Sequence, residues 1–73
     1  MDATDEQLER IFDLAMRFAR MRERPVTDVV LALLNSDTLR RYGRVEPGRL
    51  TEVQADACIC ILQVWIEKAG EVA

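Results

Sequence analysis

The sequence predicts an all-α fold: a small bundle of two long helices, over about residues 5–22 and 52–69, joined by two short ones over about 28–34 and 38–42. Three observations carry this expectation. Two capping boxes, Thr4-Asp5-Glu6-Gln7 and Thr51-Glu52-Val53-Gln54, each open a long stretch with apolar residues at helical spacing. Turn-forming residues at Pro25, Asn35-Ser36, Gly43 and Pro47-Gly48 cut the interval between them into helix-length pieces. The one run that could be a strand, Val29 to Leu34, finds no partner strand elsewhere, and an isolated strand is not viable.

The first helix starts at Asp5, where Thr4 can accept from the amide of Gln7 while Gln7 reaches back, and Asp5 and Glu6 favour the positive end of the helix dipole. Leu8, Ile11, Phe12, Ala15, Phe18 and Ala19 form its main apolar stripe. Arg20 and Arg22 suit its C-terminus, and Pro25 drives Arg24 out of helical geometry. For the second helix Thr27 is the candidate N-cap, with Val26 placed to staple against Leu31 from outside. Ser36 or Asp37 caps the third, which Gly43 stops in a left-handed conformation. Glu46-Pro47-Gly48-Arg49 then reads as a β-turn, and the fourth helix runs from Glu52 to Ala69 before Gly70 ends it.

Seventy-three residues, 49% of them apolar and 32% charged, suit one folded domain spanning 1–73 rather than a disordered chain. A domain this small has little interior, so its core must be unusually rich or shared with another chain. The faces of the fourth helix point to sharing. Glu52, Asp56, Gln63 and Glu67 fall in a narrow polar arc, and nearly everything else is apolar except Gln54. The first helix adds Leu14, Met16 and Met21 outside its main stripe. Leu14, Met21, Ile59, Ile61, Leu62, Trp65 and Ile66 are therefore the expected dimer or partner interface. The competing expectation is a dense monomer in which the second helix and the Pro47 turn cover more of the fourth helix.

Charge is organised along the chain. Residues 1–16 carry −4, residues 17–49 carry +4 and residues 50–73 carry −3. Nine of the ten cations are arginine, suited to bidentate pairing with carboxylate or phosphate. Arg40, Arg41, Arg44 and Arg49 surround the third helix and are the candidate polar contacts to a partner.

Function is read from what these residues permit. The chain has no histidine, and its two cysteines, Cys58 and Cys60, point about 200° apart on a helix, so they cannot chelate one ion within a protomer. No nucleophile with a base and no paired carboxylates in a cavity are visible, so the expectation is a protein that is not an enzyme and needs no metal or cofactor. The acidic opening differs from the basic, then apolar, pattern of a secretory signal, and no uncharged 18-residue apolar run exists, which points to a soluble cytoplasmic protein. The reading that follows is a non-catalytic protein–protein interaction module. It would form a homodimer and act as an inhibitor, anti-activator or adaptor that masks a surface of a larger protein. The alternative is a dimeric DNA-binding regulator using the arginines around the third helix, although a recognition helix of about five residues and an acidic overall balance oppose it.

Overall fold

The computed structural model describes residues 1–46 and 48–71. They form four helices, α1 (Asp5–Arg22), α2 (Val26–Leu34), α3 (Asp37–Arg40) and α4 (Glu52–Glu71), and among the described residues the only β features are two isolated bridges.

Both expected capping boxes are present. The Gln7 amide donates to Thr4 Oγ1 at 3.1 Å and the Thr4 amide to Gln7 Oε1 at 2.9 Å. The Gln54 amide donates to Thr51 Oγ1 at 3.1 Å and the Thr51 amide to Gln54 Oε1 at 2.9 Å. Each box satisfies backbone donors that a helix start otherwise leaves to water.

The short helices begin where local chemistry is firmest. α2 starts two residues earlier than expected because Pro25, with φ −61° and ψ 144°, is its N-cap, and the ring sets the entry dihedral in advance. Thr27 therefore lies inside α2, and Val26 is its first residue rather than a staple from outside. In α3 the Ser36 hydroxyl accepts from the Leu39 amide at 3.2 Å, so the helix starts at Asp37 and closes after Arg40, shorter than the sequence suggests. Gly43 takes a positive φ of +110° as expected, but α3 has already closed at Arg40, so the glycine turns the chain after the helix rather than stopping it. α4 continues through Gly70 to Glu71, because a glycine lowers helix stability without forbidding the geometry.

In the turn, Gly48 has φ +71° and the Arg49 amide donates to the Glu46 carbonyl at 3.1 Å, as a turn centred on residues 47 and 48 requires. The expected role of Pro47 lies outside the described residues.

α1 and α4 make the most extensive helix contact in the molecule, and they run parallel. At one end Gln7 Nε2 donates to the Glu52 carbonyl at 3.2 Å and to Asp56 Oδ1 at 2.8 Å. At the other end the rings of Phe18 and Trp65 lie 5.5 Å apart, tilted by 40°. Parallel neighbours need a return path, and α2, α3 and the turn supply it. The N-terminal residues lock that path in place. The Ala3 amide donates to the Leu50 carbonyl at 2.8 Å, the Glu52 amide donates to the Met1 carbonyl at 2.9 Å, and Asp2 bridges to Thr51.

The core is built from Ile11, Leu14, Ala15 and Ala19 of α1, Val29 and Leu33 of α2, Leu39 of α3, and Ala55, Ala57, Cys58, Ile61 and Leu62 of α4. Four of these twelve residues, Ala15, Ala19, Ala55 and Ala57, are alanines of the two long helices. Gln54, which the sequence presents as an interruption of an apolar face, is 3% exposed. Besides its capping bonds, its Nε2 donates to the Arg44 carbonyl at 3.1 Å, so it ties the loop to the start of α4.

Candidate protein-binding surface

The helices that enclose the core leave a trough open on one flank. α1 contributes Leu8, Ile11 and Phe12, α2 contributes Val30, Leu31 and Leu34, and the loop before α4 contributes Val45 and Leu50, with Cys58 among the lining groups. Its volume is about 770 Å³. Leu8, Phe12 and Leu31 are 43%, 56% and 58% exposed, so the walls themselves face solvent and the feature is a groove, not an enclosed cavity. Polar groups gather at one end, where Asp2, Glu46 and Arg49 line it. Arg49 Nε sits 3.2 Å from Asp2 Oδ1, which pairs that cation within the chain.

The residues expected at an interface are distributed differently. Leu14, Ile61 and Leu62 are buried in the core of the single chain and present no appreciable surface to a partner. Their expected place outside the core is corrected by the parallel packing of α1 on α4 and by the cover from α2 and α3, which together use more of α4 than two short helices were expected to reach. Ile59, Trp65 and Ile66 are half-buried against the core, Trp65 on the Phe18 ring. Met21 is exposed. The outward row that α4 retains consists of Val53, Cys60 and Val64.

The core stripe of α1 is rotated by roughly 30° from the one read off the sequence, toward Leu14 and away from Phe12. That rotation is what exposes Leu8 and Phe12. Leu8 and Phe12 belong to the main apolar stripe that the sequence predicts for α1. The signal that could have located them is the ridge Leu8, Phe12, Met16, at spacings of four, which continues past the point where nine residues of α2 can cover it.

Two of the four arginines are paired within the chain. Arg40 lies 4.0 Å from Asp37 in an exposed pair, Arg49 is held by Asp2, and Arg41 and Arg44 are exposed. Arg40 and Arg44 border one shallow depression, Arg44 and Arg49 another. Exposed pairs of this kind contribute little to stability.

The cysteines divide by environment. Cys58 is buried, and burial pushes its thiol up to about 11 from an ordinary 9.0. Cys60 is exposed. Among the described residues no three potential metal ligands cluster, and no helix is long and apolar enough to cross a membrane. Neither protein-family models, nor curated proteins, nor solved structures yield a match to this chain.

Proposed function

We propose that this chain is a non-catalytic protein–protein interaction module that works as an inhibitor, anti-activator or adaptor, and that its working surface is the α1/α2 groove. The observation that carries the reading is the exposure of Leu8, Phe12 and Leu31 on facing walls of a continuous apolar trough. Large apolar side chains left in water together, with polar groups around them, are the usual mark of a docking surface. The chemistry of the chain fits: it has no histidine, and its buried thiol is held in the neutral form. Such a protein acts by occupying a surface of something larger.

The test is a photo-crosslinking amino acid placed at position 12 and, as a control, at the exposed polar position Gln63, in the cell that makes the protein. The reading expects one defined adduct at 12 and not at 63. That adduct, once identified and purified, must bind the wild-type chain, lose binding to Phe12→Ser and change its own activity on binding. Equal labelling at both positions, or a partner that binds Phe12→Ser normally, overturns it.

Self-association belongs to the same reading through another face. The exposed row Val53, Cys60 and Val64 on α4, with Met21 and the half-buried Trp65 and Ile66 on the long helices, favours a homodimer. A mass of twice 8.4 kDa that persists on dilution and falls in Val64→Asp supports it. A stable monomer removes the dimer and leaves the groove reading intact. The rival DNA-binding reading rests on Arg40, Arg41 and Arg44 beside a four-residue α3. Release from mixed-sequence DNA at about 50 mM salt removes it.

A further inference from the structure

We propose that the groove receives an amphipathic helix whose apolar face is flanked by lysine or arginine. The inference deepens the protein-binding reading above and rests on it.

The groove is rimmed by carboxylates. On α1 the exposed ridge Asp5, Glu9, Asp13 lies beside the apolar ridge Leu8, Phe12, Met16, displaced by roughly 60° around the helix and away from the core. It spans about 12 Å along the wall. On α2, Asp28 precedes Leu31 by three residues and is exposed on the same helix surface. Glu46 closes one end. Among the described residues none of these carboxylates makes an ion pair, and Arg49, the one cation lining the groove, is taken by Asp2. A ligand with cations on its edges gains along the α1 rim and at the end of the trough, and a ligand with anions there is repelled.

Shape selects a helix. The walls are ridges of two helices at spacings of four residues, which receive the ridge of a third in the way helices pack on one another. At the loop that borders the groove the Leu50 carbonyl is already taken by the Ala3 amide, so that position does not invite an extended strand. Charge argues against the other occupants. A second copy seated groove to groove by a two-fold axis would set the α1 carboxylate ridge against its own counterpart or against the α2 wall that carries Asp28, like charge on like charge in either case. A fatty acid would carry its own carboxylate to the acidic rim.

The experiment titrates two synthetic 18-residue peptides into the isotopically labelled full chain and follows amide shifts. Both peptides carry leucine at positions i, i+4, i+7 and i+11 in an alanine background, one with lysine and the other with glutamate on the flanks. The lysine peptide is expected to bind about tenfold more tightly or better, with shifts concentrated at Leu8, Phe12 and Leu31 and an advantage that shrinks as salt rises from about 50 to about 500 mM. Glu9→Gln with Asp13→Asn is expected to narrow the gap at low salt while leaving the spectrum of the unbound fold in place. Equal affinity for the two peptides, binding by neither, or shifts centred on Val53 and Val64 overturns the proposal. So do groove shifts that appear with protein concentration alone, which would assign the groove to a second copy, or saturation by dodecanol without response to either peptide. A crosslinked partner that enters the groove through a non-helical or acidic segment would overturn this inference and spare the broader reading.

Discussion

The two cysteines, one residue apart in sequence from a shared neighbour, show how far a single position on a helix decides chemistry. Cys58 lies at the bottom of the groove, buried among core residues, and Cys60 faces solvent. The buried thiol resists ionisation because the thiolate would lose its hydration. Its folded value, about 11, stands above the ordinary 9.0, so the neutral thiol's contribution to stability is complete below pH 9.0. That contribution declines as pH rises from 9.0 through about 11, where an unfolded chain releases the proton and the folded one retains it. Thermal unfolding followed across this window should show a steeper fall for wild type than for Cys58→Ala, whatever the baseline cost of the smaller side chain. In the native state a thiol reagent should modify Cys60 rapidly and Cys58 only as the fold opens. The sequence gives the angular separation of the pair from helix geometry alone. Which of the two faces inward depends on what packs against α4, and that is not encoded locally.

At the scale of the helices, starts were more legible than stops or faces. The starts of α1 and α4 follow from four-residue motifs that satisfy their own backbone donors, so they need no knowledge of the rest of the molecule. The joint between α1 and α2 was harder to read. α1 ends through Glu23, which adopts φ 54° and ψ 45°, and the Arg24 amide donates to the Ala19 carbonyl at 2.9 Å across the bend. The left-handed conformation brings Cβ too close to the backbone for any residue but glycine to adopt it without cost. It accompanies the C-cap bonds that close α1, while Pro25 restricts Arg24 to extended geometry and sets the entry to α2. Glu23→Gly should therefore stabilise the protein by about 0.5–1 kcal/mol, net of the greater freedom glycine has in the unfolded chain. Urea unfolding checks it, with an unchanged slope and a higher midpoint as the expected result. The same joint explains the misplaced apolar faces: it folds α2 back along one flank of α1, and the choice of flank decides whether Leu14 or Phe12 joins the core.

For the whole molecule, area connects the fold to its proposed role. A folded monomer of 8.4 kDa is expected to expose about 4,600 Å², whereas this chain exposes 5417 Å² over a body of 38 × 23 × 17 Å. The excess is comparable to what one partner contributes to a standard protein–protein interface, about 800 Å². Sequence reasoning found the surplus of apolar surface, since apolar residues outnumber the positions that four helices can bury, but placed it on α4. The parallel α1/α4 pair uses most of that face internally, leaves Val53, Cys60 and Val64 outward, and opens a further apolar surface on the α1/α2 flank. If the groove serves a partner, its exposed walls contribute little to the isolated chain. Phe12→Ser with Leu31→Ser should then change stability by less than about 1 kcal/mol, because both side chains are more than half in water already. Leu33→Ala, at a fully buried position on the same helix as Leu31, should cost about 2–5 kcal/mol through lost burial and the cavity it leaves. Thermal and urea unfolding of the three proteins separates the cases. A loss from the double variant that approaches the Leu33→Ala value would place Phe12 and Leu31 in the structural core, and the groove would then be a packing feature of the fold. A double variant as stable as wild type would mean that these side chains remain apolar for the sake of something outside the chain.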